Sequence, residues 1–413
     1  MKKFSILILT LLILFLNSCS IVISSDDKDD SSNDDEYLLK LQYGDNFKTE
    51  NTFANQENLA GMCFLYFEKQ NDFNYIKVLN AMKNLGVKSL RTWMHFSYLL
   101  EDPYTIKEDA AELMHEYINE AIEMGFQIIG MNHYSYHDEG YFSIGKVKRV
   151  HEEDPNSKYS KWLQNYKDSW NTLVTEFPQV TYWEIDNEIN NPDFMYIDGE
   201  KETVMTFDEM VPIAADMLYF GSLGIHEANS DANTIIGGLV DTHSIGKGTS
   251  YNGVHIGYMT GFLEKLYDAI DSGEHYSLHY DDFFQIAAWH PYHYVWATDE
   301  QWVNENNKVY EVITRREGKD KKVFLSEFGW QDKNTSGMTG EWIKGLFDNI
   351  KTNMPYVESI HYHLMFDYSG NGYGLYEEID HSNPSLSLTP KSYAYDYQKA
   401  AGGEGKLNFD FRK

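Results

Sequence analysis

Apolar positions in this chain alternate between two rhythms. Short runs rich in β-branched and aromatic residues give way to stretches whose apolar residues recur three and four apart, and the exchange repeats from about Asn58 onward. A run apolar on both faces suits a strand buried on both sides, and a 3.6-residue rhythm suits a helix with one face on a core. The alternation therefore predicts a parallel sheet with helices outside it.

Eight such units can be traced. Strand Leu59–Tyr66 precedes helix Asp72–Leu85, Val87–Met94 precedes Ile106–Met124, and Phe126–Asn132 precedes Lys158–Phe177. Strand Val180–Glu188 is followed by helix Phe207–Ala228, Thr234–Val240 by Gly257–Asp271, and Phe283–His290 by Glu300–Arg316. Lys321–Glu327 with Met338–Asn353 and Val357–Phe366 with Pro390–Ala401 complete the series. Gly86 and Gly125 stand where helices must close in a left-handed turn before the next strand. The long connections, His133–Asn156, Ile189–Thr206, Asp241–Tyr258 and Asp367–Thr389, all follow strands. That asymmetry predicts an α/β fold, a (β/α)8 TIM barrel forming a single domain over residues 58–413, with its working face at the strand C-termini. No internal repeat is visible.

The N-terminus has a different character. Lys2 and Lys3 precede an apolar run from Ile6 to Leu16 that is too short to span a bilayer, which reads as a secretory signal over residues 1–18. Leu16-Asn17-Ser18-Cys19 resembles a bacterial lipobox, which implies cleavage before Cys19, acylation of its sulfur, and a protein lipid-anchored at the outer membrane or cell surface. The alternative is ordinary secretion with Cys19 there by chance. Residues 19–57 form the tether and lead-in: Asp26, Asp27, Asp29, Asp30, Asp34, Asp35 and Glu36 lie among serines and cannot bury an apolar face.

Composition narrows the partners. A net charge of −30 argues against nucleic acid and polyanionic glycans as partners, since either would be repelled at long range. Of the 2 cysteines only Cys63 lies in the barrel, so neither a disulfide framework nor a cysteine-based zinc site is available. The 31 Tyr, 23 Phe and 9 Trp can grip sugar rings at a barrel mouth, although packing between barrel and helices accounts for most aromatics individually.

Two strings carry the chemistry. Tyr182-Trp183-Glu184-Ile185-Asp186-Asn187-Glu188 and Val323-Phe324-Leu325-Ser326-Glu327 each run an apolar strand into a glutamate. Cleaving a glycosidic bond requires an acid to protonate the leaving oxygen and a carboxylate to attack the anomeric carbon, and Glu188 and Glu327 fit those roles. Asn-Glu alone is weak: Asn119-Glu120 and Asn304-Glu305 also occur, but in helical stretches, and only Asn187-Glu188 ends a strand.

On these residues the chain resembles glycoside hydrolase clan A, retaining (β/α)8 enzymes with an Asn-Glu acid/base on strand four and a nucleophilic Glu on strand seven. The resemblance covers about Asn58 to Ala401 and comes nearest to a family 5 pattern. It implies that Glu188 is the acid/base, Asn187 the partner of the sugar 2-hydroxyl and Glu327 the nucleophile. It also implies substrate-binding roles for Arg91 after strand two, His133 after strand three, and His290 and Tyr292 after strand six, with Arg91 and Tyr292 holding Glu327 ionised. One position departs: clan members commonly carry a Trp at the end of strand eight, where this chain reads Ser359-Ile360-His361-Tyr362-His363-Leu364-Met365-Phe366. His363 or Phe366 is expected to replace it, and Trp330 to add stacking.

His361 and His363 also have the spacing of a metal pair, but no further ligand set accompanies them, so no metal or other cofactor is expected. His293 reads as cleft lining. The function expected is a monomeric retaining β-glycoside hydrolase for a neutral polysaccharide or its oligosaccharides. The rivals are a non-catalytic glycan-binding lipoprotein on a degenerate barrel and a transglycosylase using the same intermediate.

Overall fold

The computed structural model describes residues 59–64, 74–132, 155–191, 206–240, 249–251, 254–256, 258–292, 298–329, 339–367, 372–377 and 387–411. The expected signal peptide and tether, with Cys19, His133, His293 and Trp330, lie outside these.

Eight strands close into a barrel: β1 (Ala60–Phe64), β2 (Ser89–Trp93), β3 (Gln127–Met131), β4 (Tyr182–Asn187), β5 (Asn233–Val240), β6 (Ala287–His290), β7 (Val323–Phe328) and β8 (Val357–Tyr362). Each pairs in parallel with its neighbours in sequence, and β1 closes the ring on β8 with Ala60 beside Ile360. Around them run α1 (Tyr75–Asn84), α2 (Glu108–Glu123), α3 (Lys158–Glu176), α4 (Phe207–Ala228), α5 (Tyr258–Asp271), α6 (Asp299–Glu317), α7 (Thr339–Asn353) and α8 (Ser392–Ala400). The predicted TIM barrel and its eight units are therefore present.

Local chemistry sets the helix ends. Asn74 and Ser157 accept backbone N–H groups at the starts of α1 and α3, while Thr206 with Glu209 and Thr298 with Gln301 form reciprocal caps on α4 and α6. Gly86 (φ 89°) and Gly125 (φ 91°) take the left-handed conformation expected of them. Helix α4 lies so close to α3 that a side chain on Gly224 would meet the Lys167 carbonyl oxygen at 2.2 Å. Beneath them Trp170 of α3 meets Trp183 of β4 edge to face, at 6.0 Å between ring centres, within one continuous apolar core. No helix among the described residues is long and apolar enough to cross a membrane.

The last strand is shorter than predicted. It stops at Tyr362, and Phe366 bridges Tyr376 instead of extending it. The sixth begins only at Ala287: Phe283 caps a 3-10 turn over Tyr280–Asp282, and Ile286 makes only an isolated bridge to Ile235. After β2 come a helical turn, Phe96–Leu99, and a hairpin of Leu100–Asp102 with Thr105–Ile106. Pieces this short contain too few residues to show a hydrophobic period.

Candidate active site

Strand β2 sends Arg91 into the barrel, fully buried. Its Nε donates to Glu184 Oε2 at 2.6 Å and its Nη2 to Glu184 Oε1 at 3.0 Å. Nη2 also donates to Asn187 Oδ1 at 2.7 Å, and Nη1 to Glu327 Oε2 at 3.2 Å. One guanidinium thus ties β2 to β4 and β7, using the planar fork that suits carboxylates.

The end of β4 needs unusual backbone to achieve this. Regular alternation would put Glu184, Asp186 and Glu188 on one face and Asn187 on the other. Asp186 (φ 66°) and Glu188 (φ 49°) are instead left-handed, so both Glu184 and Asn187 reach Arg91. Asp186 turns to Asn132 Nδ2 at 3.2 Å and to the Tyr166 hydroxyl, which donates to it in a short contact. Such conformations cost on the order of 1–3 kcal/mol each and persist where the surroundings over-determine them, typically at functional sites.

The two glutamates project from the rim three strands apart and converge across the barrel mouth, each 8% exposed. Glu188 Oε1 lies 3.0 Å from His290 Nδ1, and its Oε2 accepts from Asn191 Nδ2 at 2.7 Å. Glu327 Oε1 accepts the Tyr292 hydroxyl, and His363 Nδ1 stands 3.4 Å from the same oxygen. One oxygen each of Glu188 and Glu327 and one nitrogen of His290 all lie within 4.8 Å of one another. Space for His290 depends on Gly238, where a Cβ would meet the imidazole Nε2 at 2.2 Å.

Burial by itself would raise the Glu327 carboxyl, but His363, His290 and Arg91 and the Tyr292 hydroxyl pull the other way and hold it at about 2. His363 is itself pushed below the usual histidine value by burial, so Arg91 is the fixed charge that holds Glu327 ionised at neutral pH. Burial and the Glu327 charge push the Tyr292 hydroxyl up, keeping it protonated as a donor. Buried His361 is driven down to about 3 by desolvation and by Arg91.

The expected site residues Arg91, Asn187, Glu188, His290, Tyr292, Glu327 and His363 are thus brought together. Phe366 is not among them: it packs against Tyr376 and Phe411, with ring centres at 5.7 and 5.3 Å, so of the two expected replacements for the strand-eight tryptophan His363 alone faces the nucleophile. Nor do His361 and His363 act as a pair. His361 Nε2 lies 3.0 Å from Ser89 Oγ inside the barrel, because β8 ends between the two. Cys63, Glu327 and His363 also bring donor atoms within 4.8 Å of one another, as do Glu188, His290 and Glu327. The permanent charge of Arg91 on Glu327 opposes a cation in either place, and burial holds the Cys63 thiol protonated, so neither set is assigned to a metal.

Sequence reasoning passed over Glu184, Asp186, Asn191 and Tyr373. Glu184 had a visible signal: a carboxylate inside an otherwise apolar strand, four residues before Glu188, must find a buried partner. Tyr373 had none, since only folding brings it beside Tyr292, at 5.2 Å between ring centres.

No protein-family model matches the chain, and no curated protein matches it by sequence. Solved structures do. A family 39 glycoside hydrolase from the gut symbiont Bacteroides cellulosilyticus WH2 superposes with TM-score 0.55 and 16% identity over 87% of this chain and 66% of that one. A family 1 β-glucosidase from Thermotoga maritima gives 0.56 and 12% over 84% and 98%. The chain has the fold of the clan A glycosidases. A GH5-4 broad-specificity endoglucanase from Clostridium acetobutylicum, with TM-score 0.54 and 12% identity over 83% of this chain and 97% of that one, belongs to the same clan. At these identities the likeness concerns the barrel, and the chemistry has to be argued from the residues above.

Proposed function

We propose that this protein is a retaining β-glycoside hydrolase acting on a neutral polysaccharide or its oligosaccharides by double displacement. Glu327, ionised between Arg91 and Tyr292, attacks the anomeric carbon while Glu188 protonates the leaving oxygen. Glu188 then deprotonates the water that releases the sugar from Glu327. Asn187, oriented by Arg91, is placed to bond the sugar 2-hydroxyl.

The observation that carries this reading is the approach of Glu188 and Glu327 oxygens to within 4.8 Å. Direct attack with retention uses carboxyl groups about 5–5.5 Å apart, whereas inversion needs roughly 6.5–9.5 Å to admit a water between carboxylate and sugar. A glycan-binding protein without turnover would have no use for a nucleophile held ionised by a buried guanidinium, which disfavours that alternative.

Purified protein should release products from one member of a panel of mannans, xylans, glucans and galactans, and an NMR time course should show the retained anomer first. Inverted product sinks the mechanism. No product from any β-glycan sinks the activity. The lipid anchor and the surface location are part of the proposal: labelled palmitate should enter the wild-type protein in a bacterial host and not Cys19→Ala.

A further inference from the structure

We infer that Asn191 is a positioning residue for the reaction: its side-chain amide holds Glu188 Oε2, the oxygen through which that carboxyl passes its proton. The inference deepens the proposed function and rests on Glu188 being the acid/base.

Each oxygen of Glu188 has a neighbour, and the two neighbours allow different things. His290 Nδ1 lies 3.0 Å from Oε1, while His290 Nε2 is fully buried with no hydrogen-bond partner among the described residues. A buried N–H without an acceptor is harder to tolerate than an unused lone pair, so the imidazole carries its proton on Nδ1 and gives it to Oε1. A hydroxyl proton on Oε1 would compete with that bond. The transferable proton therefore belongs on Oε2, which accepts from Asn191 Nδ2 at 2.7 Å.

A primary amide suits an oxygen that is an acid in one step and a carboxylate in the next. Its Nδ2 donates to the ionised oxygen, and a half-turn about the last side-chain bond offers Oδ1 to the hydroxyl of the acid. In the first step the Oε2 proton moves to the glycosidic oxygen as that oxygen leaves the anomeric carbon and a Glu327 oxygen bonds to it. In the second, water gives a proton back to Oε2 as its own oxygen displaces Glu327.

The chain around Asn191 is fastened in place. Its backbone N–H donates to the Glu188 carbonyl at 2.7 Å, closing a tight turn directly after the acid/base. Buried Asn190 imitates strand pairing with the end of β5: its Oδ1 accepts the Val240 N–H and its Nδ2 donates to the Val240 carbonyl, both at 2.9 Å. The Tyr258 hydroxyl, at the start of α5, donates to the Asn190 carbonyl at 2.9 Å. The amide thus approaches the carboxylate from a base secured to β5 and α5 as well as to β4.

The test measures kcat/KM for the wild type, Asn191→Ala and Asn191→Asp on the glycoside that the panel identifies and on its dinitrophenyl and phenyl analogues. This constant reports the steps up to the glycosyl-enzyme, where an acidic dinitrophenol leaves unaided and a phenol or sugar needs the proton. Both variants should lose about tenfold or more on the natural and phenyl glycosides and stay within about twofold of the wild type on the dinitrophenyl one. Asn191→Asp keeps the shape but has no N–H to donate, so it must fall with Asn191→Ala; it also decides the matter if the alanine variant does not fold. Equal losses on every leaving group would mark a structural disturbance and overturn the inference, as would a wild-type pattern in Asn191→Asp. A wild type that cleaves no glycoside overturns the function itself. An active wild type whose Glu188→Ala variant shows no leaving-group dependence overturns the assignment of Glu188, and the inference with it.

Discussion

Glu184 grips Arg91 from two directions, Nε to Oε2 at 2.6 Å and Nη2 to Oε1 at 3.0 Å, and so leaves Nη1 free to point at Glu327. The same Oε1 accepts the Gly238 N–H at 2.8 Å and the Ser326 hydroxyl at 3.1 Å. A carboxylate outside the reacting pair therefore aims the charge on which the nucleophile depends.

Glu184→Ala should be destabilised by about 3–5 kcal/mol, the range for removing one partner of a buried pair and stranding the other. It should also lose most of its turnover, because Arg91 is no longer held toward Glu327. Urea unfolding alongside kcat/KM checks both. Unfolding within about 1 kcal/mol of the wild type, with activity retained, would show that Arg91 is oriented by something else.

Glu327→Gln should reduce turnover by several orders of magnitude while the fold and glycan binding survive, since the amide keeps the shape but cannot form the covalent intermediate. A variant with a tenth of wild-type turnover contradicts the assignment.

The same residue makes stability depend on pH. Its folded value of about 2 lies below the ordinary 4.5, so the folded state binds fewer protons than the unfolded chain between those values. The stability this contributes is complete above 4.5 and is lost as pH falls toward 2. Thermal midpoints measured across that window should decline more steeply in the wild type than in Glu327→Gln. Equal slopes would mean that the carboxyl is not depressed.

Glu188→Ala should fail on natural substrates with poor leaving groups but form the glycosyl-enzyme readily from activated aryl glycosides. Azide should then restore turnover, because a small anion can enter the vacated space and attack without a general base. Equal loss on both substrates, with no azide effect, would place the acid elsewhere on the rim.

Tyr166→Phe removes the hydroxyl that binds Asp186 at its left-handed position. The buried carboxylate would lose a donor, which costs on the order of 1–3 kcal/mol, and the turn presenting Asn187 and Glu188 should loosen. We expect kcat to fall even though Tyr166 lies outside the reacting pair. Unchanged kcat with lowered stability would confine Tyr166 to a structural role.

The sequence by itself determined the barrel, because strands buried on both faces and helices with one apolar face leave different periodicities, and eight alternations of them admit few other arrangements. It also marked Glu188 and Glu327, since a carboxylate at the end of an apolar strand stands out from its surroundings. What it could not reveal is whatever arises between strands far apart in the chain. The grip of Glu184 on Arg91 joins β4 to β2, and the wall of Tyr292, His363 and Tyr373 draws on chain beyond β6 and β8. The choice of His363 over Phe366 depended on where β8 stops, which periodicity alone did not fix. The left-handed turns at Asp186 and Glu188 oppose local preference for non-glycine residues, so the tertiary bonds of Asp186 to Asn132 and Tyr166, and of Glu188 to His290, decide them.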